Sequence, residues 1–411
     1  MTPFPLNLYE LLGQYGAYIV FLMIGFLFGY VLEIAGFGNS SKLAAQFYFK
    51  EQTVLKVMFT AIIVAMVGVF LAAGLGLLDY NLIWVNPTYL WPGILGGLIM
   101  GVGFILGGFC PGTSLVALAT AKVDGLFFVL GVLFGIFSFG ESVEKFNTFF
   151  FSSYMGRFTL MDWLGLETGW VVLIVVLMAL FMFWGAEQLE KKFGGADPKR
   201  APKLRYAGAA VIVLLAGAAV LIGQPSSMDK WNMIAAEKEP LLVEERAYQI
   251  HPGELLDLMH NDKIKLFILD VRSEADYNLF HILDAKHIPA DSLPDMVPDF
   301  LLEPSNAVFV LVGNHEDAAA EAWKMMVAEK VHNVYLLEGG INYWLDIYAS
   351  SSPETAVLSM HTGEDDLHYL FTAAVGSHHP AANPDPHAFE LEYNPKVKLE
   401  IKKGPSGGGC G

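Results

Sequence analysis

Hydrophobic and polar positions divide this chain into two unlike parts. Up to about residue 225 the pattern is one of long apolar runs separated by short polar or glycine-rich stretches, with runs near residues 19–33, 55–75, 89–109, 126–139, 169–183 and 207–222. Runs of this length can cross a bilayer as helices, because a helix bonds its own amides internally where no water is available. Six spans are predicted. Beyond about residue 247 the period changes: the runs KLFILDVRSEADY (265–277), NAVFVLVG (306–313) and NVYLLEGG (333–340) read as strands, with a helix-like DAAAEAWKMMVAE (317–329) between the last two. Strands alternating with helices at these spacings predict a parallel α/β unit. The predicted fold is a polytopic α-helical membrane domain with broken or re-entrant helices, followed by a soluble α/β domain.

Composition sharpens this division. The chain is 54% hydrophobic and only 16% charged, against about 25% charged residues in soluble proteins. Residues 1–230 carry 13 basic and 13 acidic side chains, and residues 231–411 carry 12 and 29, so the whole net charge of −17 lies in the C-terminal part. Such a surface repels nucleic acid and anionic lipid headgroups, so no nucleic-acid partner is expected, and the lipid bilayer is a partner through the apolar runs alone. The first 16 residues contain Glu10 and no Lys or Arg, so the first run reads as a retained span and not a secretory signal. Lys191, Lys192, Lys199, Arg200, Lys203 and Arg205 cluster between the fifth and sixth runs. A basic loop stays in the cytoplasm, so one further span would put residues 231–411 on the periplasmic or outer face of an inner membrane. No P-loop pattern is present, which argues against nucleotide-driven transport by this chain, and no cofactor is assigned.

Two glycine-rich interruptions are copies of one unit. At an offset of 72 residues Gly25, Gly29, Gly36, Phe37, Leu43, Ala45, Lys50 and Gly68 match Gly97, Gly101, Gly108, Phe109, Leu115, Ala117, Lys122 and Gly140. Paired interruptions in two halves of a membrane protein point to a transport site at their interface. The short helices after them are expected to aim N–H groups and positive dipole ends at an anion. The first copy offers Gly36, Gly38, Asn39, Ser40 and Ser41, and the second Gly107, Gly108, Cys110, Pro111, Gly112, Thr113 and Ser114. A thiol at a helix mouth is placed to touch a polarizable anion, although the same Cys110 also reads as a small apolar core residue. The glycines in turn also read as close helix-packing faces.

This duplicated unit, with GGFCPGT in its second copy, resembles the YeeE/YedE family of sulfur-compound transporters over roughly residues 17–140, and more weakly over 165–222. The resemblance implies that glycine-rich loops with cysteines line a path for thiosulfate or a related species. Cys110 and its surroundings carry over. The first copy departs from the pattern, since Gly38 stands where Cys110 stands in the second. A relay along several cysteines is therefore not expected.

The C-terminal part resembles the rhodanese family through Asp270-Val271-Arg272 with Glu274, the stretch from His281 to Pro289, and Leu337-Glu338-Gly339-Gly340 with Trp344. In active members the strand matching NAVFVLVG ends in a cysteine that carries a persulfide. Here the equivalent loop is Leu311, Val312, Gly313, Asn314, His315, Glu316 and Asp317, with Leu311 in the nucleophile's place. Covalent sulfur transfer needs a thiolate, and residues 231–350 contain no cysteine, so no sulfurtransferase activity is expected there. Asp270 and Arg272 read as braces for neighbouring loops.

The expected domains are a transport domain at 1–225, a linker at 226–239, the rhodanese-like domain at 240–350, a His-containing extension at 351–403 and a flexible tail at 404–411. His361, His368, His378, His379 and His387 in the extension could hold Zn²⁺ or Ni²⁺, but their spacing is irregular and no metal site is assigned. Alternation at 388–401 predicts a hairpin turned at Asn394-Pro395. Cys410, penultimate in a glycine-rich arm, resembles the terminal thiol of small sulfur carriers. The expected function is transport of a small sulfur-containing anion beside a non-catalytic rhodanese-like accessory. The alternative is an anchored protein docking a sulfur-relay or respiratory partner through that domain and Cys410.

Overall fold

The computed structural model describes residues 3–195, 204–349, 355–357, 366–371, 373–389 and 391–399. The chain forms two compact units that meet in sequence at Gln224 and Pro225. Six helical segments among the described residues are long and apolar enough to cross a membrane: Leu8–Ile34, Thr53–Gly74, Leu90–Ala119, Val123–Phe150, Thr168–Gly194 and Leu204–Ile222. The protein is a multi-pass inner-membrane protein.

In the first unit the helices are α1 (Leu8–Ile34), α2 (Ser40–Ala45), α3 (Thr53–Gly74), α4 (Leu90–Gly107), α5 (Pro111–Ala119), α6 (Val123–Ser142), α7 (Asn147–Phe150), α8 (Leu160–Leu164), α9 (Thr168–Leu189) and α10 (Leu204–Ile222). The tightest bundle is α3, α9 and α10, whose shared core holds Ile63, Val67, Val172, Val176, Ala179, Ile212 and Ala216. Small side chains let these backbones approach closely, as membrane helices require when dispersion and not dewetting holds them together. A Cβ added at Gly169 would meet the Ala219 carbonyl oxygen at 2.8 Å. The third apolar segment is interrupted between α4 and α5 and the first is followed by the short α2, so both predicted breaks are present.

The second unit contains α11 (Ser227–Val243), α12 (Pro252–Met259), α13 (Glu274–Leu279), α14 (Leu293–Phe300), α15 (Asp317–Ala328) and α16 (Gly340–Tyr348). Its strands are β1 (Gln249–Ile250), β2 (Lys265–Asp270), β3 (Lys286–His287), β4 (Ala307–Val312), β5 (Val334–Leu337), β6 (Thr355–Val357) and β7 (Tyr369–Phe371). The first five make one parallel sheet in the order β1-β5-β4-β2-β3. Strand β4 is buried along its whole length, because successive side chains enter opposite cores. Ala307, Phe309 and Leu311 join the core under α11, α14 and α15, while Val308, Val310 and Val312 join the one under α12 and α16.

Two expected boundaries differ from the structure. Residues 226–239, expected as a linker, form most of α11: Ser226 and Asp229 make a capping box, and Trp231, Ile234 and Leu242 enter the core, with Trp231 edge-on to Trp323 at 6.0 Å. The segment has the charge of a linker and the apolar spacing of a core helix. The extension is part of the core too. Tyr369, Ala381 and Ala382 are buried, and Trp344 Nε1 donates to the Ala381 carbonyl oxygen at 2.7 Å. The expected hairpin at 388–401 is absent over the described residues 391–399, which form no strand. Their amides bond elsewhere: those of Lys396 and Val397 donate to Glu254 Oε1 at 2.8 Å, and that of Lys398 to the Tyr335 hydroxyl at 2.9 Å.

Candidate functional site

The structure brings the two break loops together. Gly36 and Gly108, equivalent in the repeat, both adopt left-handed backbone, with φ of 82° and 70°. This conformation suits glycine and ends each preceding helix. Gly108 packs on Ser40 so closely that an added Cβ would lie 3.0 Å from the Ser40 carbonyl oxygen. Phe37 and Phe109, also equivalent, share a small buried core with Leu43, Val54 and Ala117. Gly107 lies against the Phe128 ring.

Each short helix is closed by its own side chains. Asn39 caps α2 by accepting from the amides of Ser41 and Lys42 at 3.0 and 3.3 Å. Cys110 caps α5, which begins with Pro111 and Gly112: its Sγ accepts from the Thr113 amide at 3.4 Å, and its own amide donates to Thr113 Oγ1 at 2.9 Å. The single Thr113 hydroxyl hydrogen faces the Cys110 carbonyl oxygen at 3.2 Å and Sγ at 3.3 Å. Ser114 Oγ donates to the Pro111 carbonyl oxygen at 2.7 Å. The hydroxyls expected to reach an anion are thus turned inward, and Ser41 contributes through its amide. Cys110 itself is half-buried. Its sulfur is the polarizable group at this point.

Charged residues at this junction were missing from the sequence-derived set. Lys122 Nζ donates to the Gly38 carbonyl oxygen at 2.8 Å and pairs with Glu33 at 3.5 Å, while Ser40 Oγ donates to Asp124 Oδ2 at 2.9 Å. Lys42 Nζ donates to the Ala35 carbonyl oxygen at 3.0 Å. The Lys122 and Asp124 contacts tie the end of the second copy to the first, while that of Lys42 stays within the first. The available signal was the presence of ionisable groups beside apolar spans, which are costly there without a partner or a role. They also account for Gly38: a Cβ there would lie 2.5 Å from Glu33 Oε2 and 3.0 Å from Lys122 Nζ. A side chain at this place would have to displace the ends of these two flexible, part-exposed residues.

In the second unit the degenerate loop runs from Gly313 to Glu316. Leu311, expected at the loop mouth, instead lies within β4 opposite Leu269 and Leu336 and has no exposure. Its apolar side chain follows the strand's alternation into the core. Asp317 opens α15. The Gly313 and Asn314 carbonyl oxygens accept from the amides of Ile341 and Asn342 at 2.9 and 3.2 Å. Glu316 pairs with Arg246 at 2.7 Å and accepts from the Gly339 amide at 2.8 Å, so its charge is compensated. Beneath the loop Arg272 and Asp270 are fully buried as a bidentate pair, with Arg272 also reaching the Phe280 carbonyl oxygen and Asn314 Oδ1. Every strong donor of that guanidinium serves a neighbouring segment, which is the bracing role expected of it.

His315 meets His368 across 3.2 Å between their Nε2 atoms. Elsewhere in this unit burial holds the His251 imidazole below its ordinary value, and burial together with the Asp346 hydrogen bond pushes the Tyr369 hydroxyl up. Among the described residues no group of three or more His, Cys, Asp or Glu side chains could hold a metal ion. Cys410, His361 and the cluster members Lys199, Arg200 and Lys203 lie outside the described residues.

Residues 35–236 match the family model described as Sulphur transport, and residues 251–347 the one described as Rhodanese-like domain. The membrane unit is therefore by class a sulfur-transport domain, with six candidate spans among the described residues, and the rhodanese-like domain is its accessory. More particularly, the chain fuses a YeeE/YedE-like sulfur-transport domain to a rhodanese-like domain. Thiosulfate sulfurtransferase GlpE of Pseudomonas paraeruginosa is 27% identical over 85 residues, covering 21% of this chain and 74% of that protein. No solved structure matches the chain. Both cysteines lie outside residues 251–347, so the rhodanese-like domain has no side chain that can carry a persulfide.

Proposed function

We propose that the membrane unit passes a small sulfur-containing anion, thiosulfate or a close relative, through the junction of the two break loops. The observation that carries this reading is the single thiol at the α5 N-cap, held beside the paired loop of the first copy. Cys110 acts as a soft contact for the permeant. Lys122 holds the junction closed through Gly38 and Glu33, and is the nearby cation an entering anion would engage.

Packing at that end of the unit supports an outer location for the C-terminal part. Glu190, at the start of the basic segment, accepts from the Gln52 amide and pairs with Lys56, both at 2.5 Å. The break loop of the first copy thus lies at the same membrane face as Lys191 and Lys192. By the positive-inside rule that face is cytoplasmic, and α10 then returns the chain to the outer face, where the rhodanese-like unit acts as a non-catalytic accessory.

Uptake by purified protein in proteoliposomes, with thiosulfate, sulfite and sulfide as alternatives, tests the reading. Saturable uptake of one of them that is lost in Cys110→Ala supports it. Absence of all uptake by folded protein would overturn it.

A further inference from the structure

We propose that residues 391–399 form a detachable strap whose seat on α12 needs an uncharged His251, so that acidification releases the strap while the sheet stays folded. The segment forms no strand, and a few groups of the domain hold it as an extended chain. Glu254 Oε1 takes the amides of Lys396 and Val397. The Tyr335 hydroxyl accepts from the Lys398 amide and donates to the Lys398 carbonyl oxygen at 3.1 Å. Lys396 Nζ donates to the carbonyl oxygens of Arg246 and Gln249 at 2.9 and 2.8 Å. Tyr393 anchors the other end: its hydroxyl donates to Asp257 Oδ2, and its ring lies over the His251 ring, with 5.6 Å between centroids and 8° between planes.

His251 is the N-cap of α12, and both of its ring nitrogens are committed. Nδ1 accepts from the Gly253 amide at 3.0 Å, so the neutral ring carries its proton on Nε2, which faces the Tyr343 hydroxyl at 3.3 Å. A proton added at Nδ1 would set two donors against each other and place a positive charge at the positive end of a helix dipole. The ring has no spare room in which to turn away. It is held between the face of Tyr393 and the ring of Tyr343, which stands at 86° to it with 5.7 Å between centroids. A Cβ at Gly253 would lie 2.9 Å from Tyr393 Cε1 and 3.2 Å from His251 Nδ1, so helix backbone, cap and strap ring fill one space. A turn of the imidazole therefore displaces Tyr393.

The groups around the ring act in opposite directions. Burial is the largest influence and disfavours an imidazolium, Glu338 and Glu254 favour one, and Lys396 disfavours it; the net effect holds His251 below its ordinary value. Arg246 pairs with Glu338 at 3.3 Å and offsets part of its pull. Release of Tyr393 and Lys396 removes part of the burial and a neighbouring positive charge, so the proton binds the released state more tightly. The strap is then fully seated above pH 6.5 and leaves as pH falls through the seated value. Release lengthens the connection between the domain and Cys410 by nine residues, about 30 Å of extended chain.

The test is hydrogen exchange of full-length protein in detergent between pH 7.5 and pH 5, read on a peptide covering 391–399 and corrected for the intrinsic rate at each pH. Wild-type protection should fall about fivefold or more with a midpoint below pH 6.5, while β4 keeps its protection. His251→Asn keeps a capping side chain that cannot take the proton, and its strap should stay protected at pH 5. Glu338→Gln removes a charge that favours the imidazolium, so the midpoint should move to lower pH with protection at pH 7.5 unchanged. This second variant decides the matter if the first does not fold. Strap protection that does not change with pH would overturn the proposal, as would a midpoint unmoved in Glu338→Gln. A loss that persists in His251→Asn would also overturn it and assign the effect to the carboxylates of Glu254 and Asp257. Loss of β4 protection in parallel would reduce the effect to global unfolding and refute a local release.

Discussion

Replacing Cys110 by Ser separates the fold of the break from its chemistry, because the cap geometry predicts opposite effects on the two. Cys110 Sγ accepts from the Thr113 amide at 3.4 Å, and sulfur is a weak acceptor. A serine oxygen at the same N-cap is a preferred residue, worth about 0.5–2 kcal/mol over one that cannot cap. Since the thiol already supplies part of that, Cys110→Ser should leave stability unchanged or raise it by up to about 1 kcal/mol. Transport should move the other way. If the sulfur is the permeant's contact, a harder, less polarizable oxygen costs about 1.4 kcal/mol or more in the passage step, a tenfold or greater fall in rate. The assay pairs a melting curve in detergent with thiosulfate uptake into proteoliposomes at matched protein content. Cys410→Ser is the control. Leu311→Ala is not, since truncating a fully buried leucine costs about 2–5 kcal/mol. Wild-type uptake by the Ser variant would return Cys110 to the role of a small core residue, and a lowered melting temperature would refute the capping argument.

Further outcomes are open to measurement. Gly38→Ala should lose the Lys122 tether, a charge-assisted hydrogen bond of about 1.5–3 kcal/mol. Faster maleimide labelling of Cys110 in folded protein would report this, and an unchanged rate would contradict it. A fragment covering 240–350 should not fold stably, because it omits Trp231, Ile234, Tyr369 and Ala381 from the core. The fragment 225–411 should melt cooperatively, and equal melting curves would refute the extended boundaries. His251 Nδ1 accepts the Gly253 amide at 3.0 Å and its folded pKa lies below the ordinary 6.5. Its contribution to stability is therefore present above pH 6.5 and lost as pH falls through the folded value. His251→Asn, which keeps a capping side chain, should flatten the loss of melting temperature on acidification from pH 7. Full-length protein carrying Cys410→Ser should transfer no sulfur from thiosulfate to cyanide, and turnover abolished by mutating residues 313–317 would overturn that expectation.

How far the sequence could be read depended on the range over which each signal acts. Apolar runs and the two-residue alternation of β4 are local, so the six spans and the parallel sheet were legible without coordinates. The 72-residue repeat was legible for the same reason, since identical local problems recruit identical glycines. Gly36 and Gly108 answer the same left-handed turn. What stayed hidden depends on neighbours distant in sequence. Residues 226–239 are rich in charge and resemble a linker until Trp323 is known to lie beneath Trp231. Gly38 looked like a lost cysteine, yet the space a side chain would take there is filled by the ends of Glu33 and Lys122, the latter 84 residues away. His315 and His368, 53 residues apart, meet at 3.2 Å between their Nε2 atoms, a contact that no local spacing announces. Leu311 is the instructive case in the other direction. The family pattern drew it toward the loop, whereas the plain alternation of Ala307, Phe309 and Leu311 already put it in the core. Where a motif and a local physical period disagree, the period acts on every residue of the strand and is the safer guide to where a side chain goes.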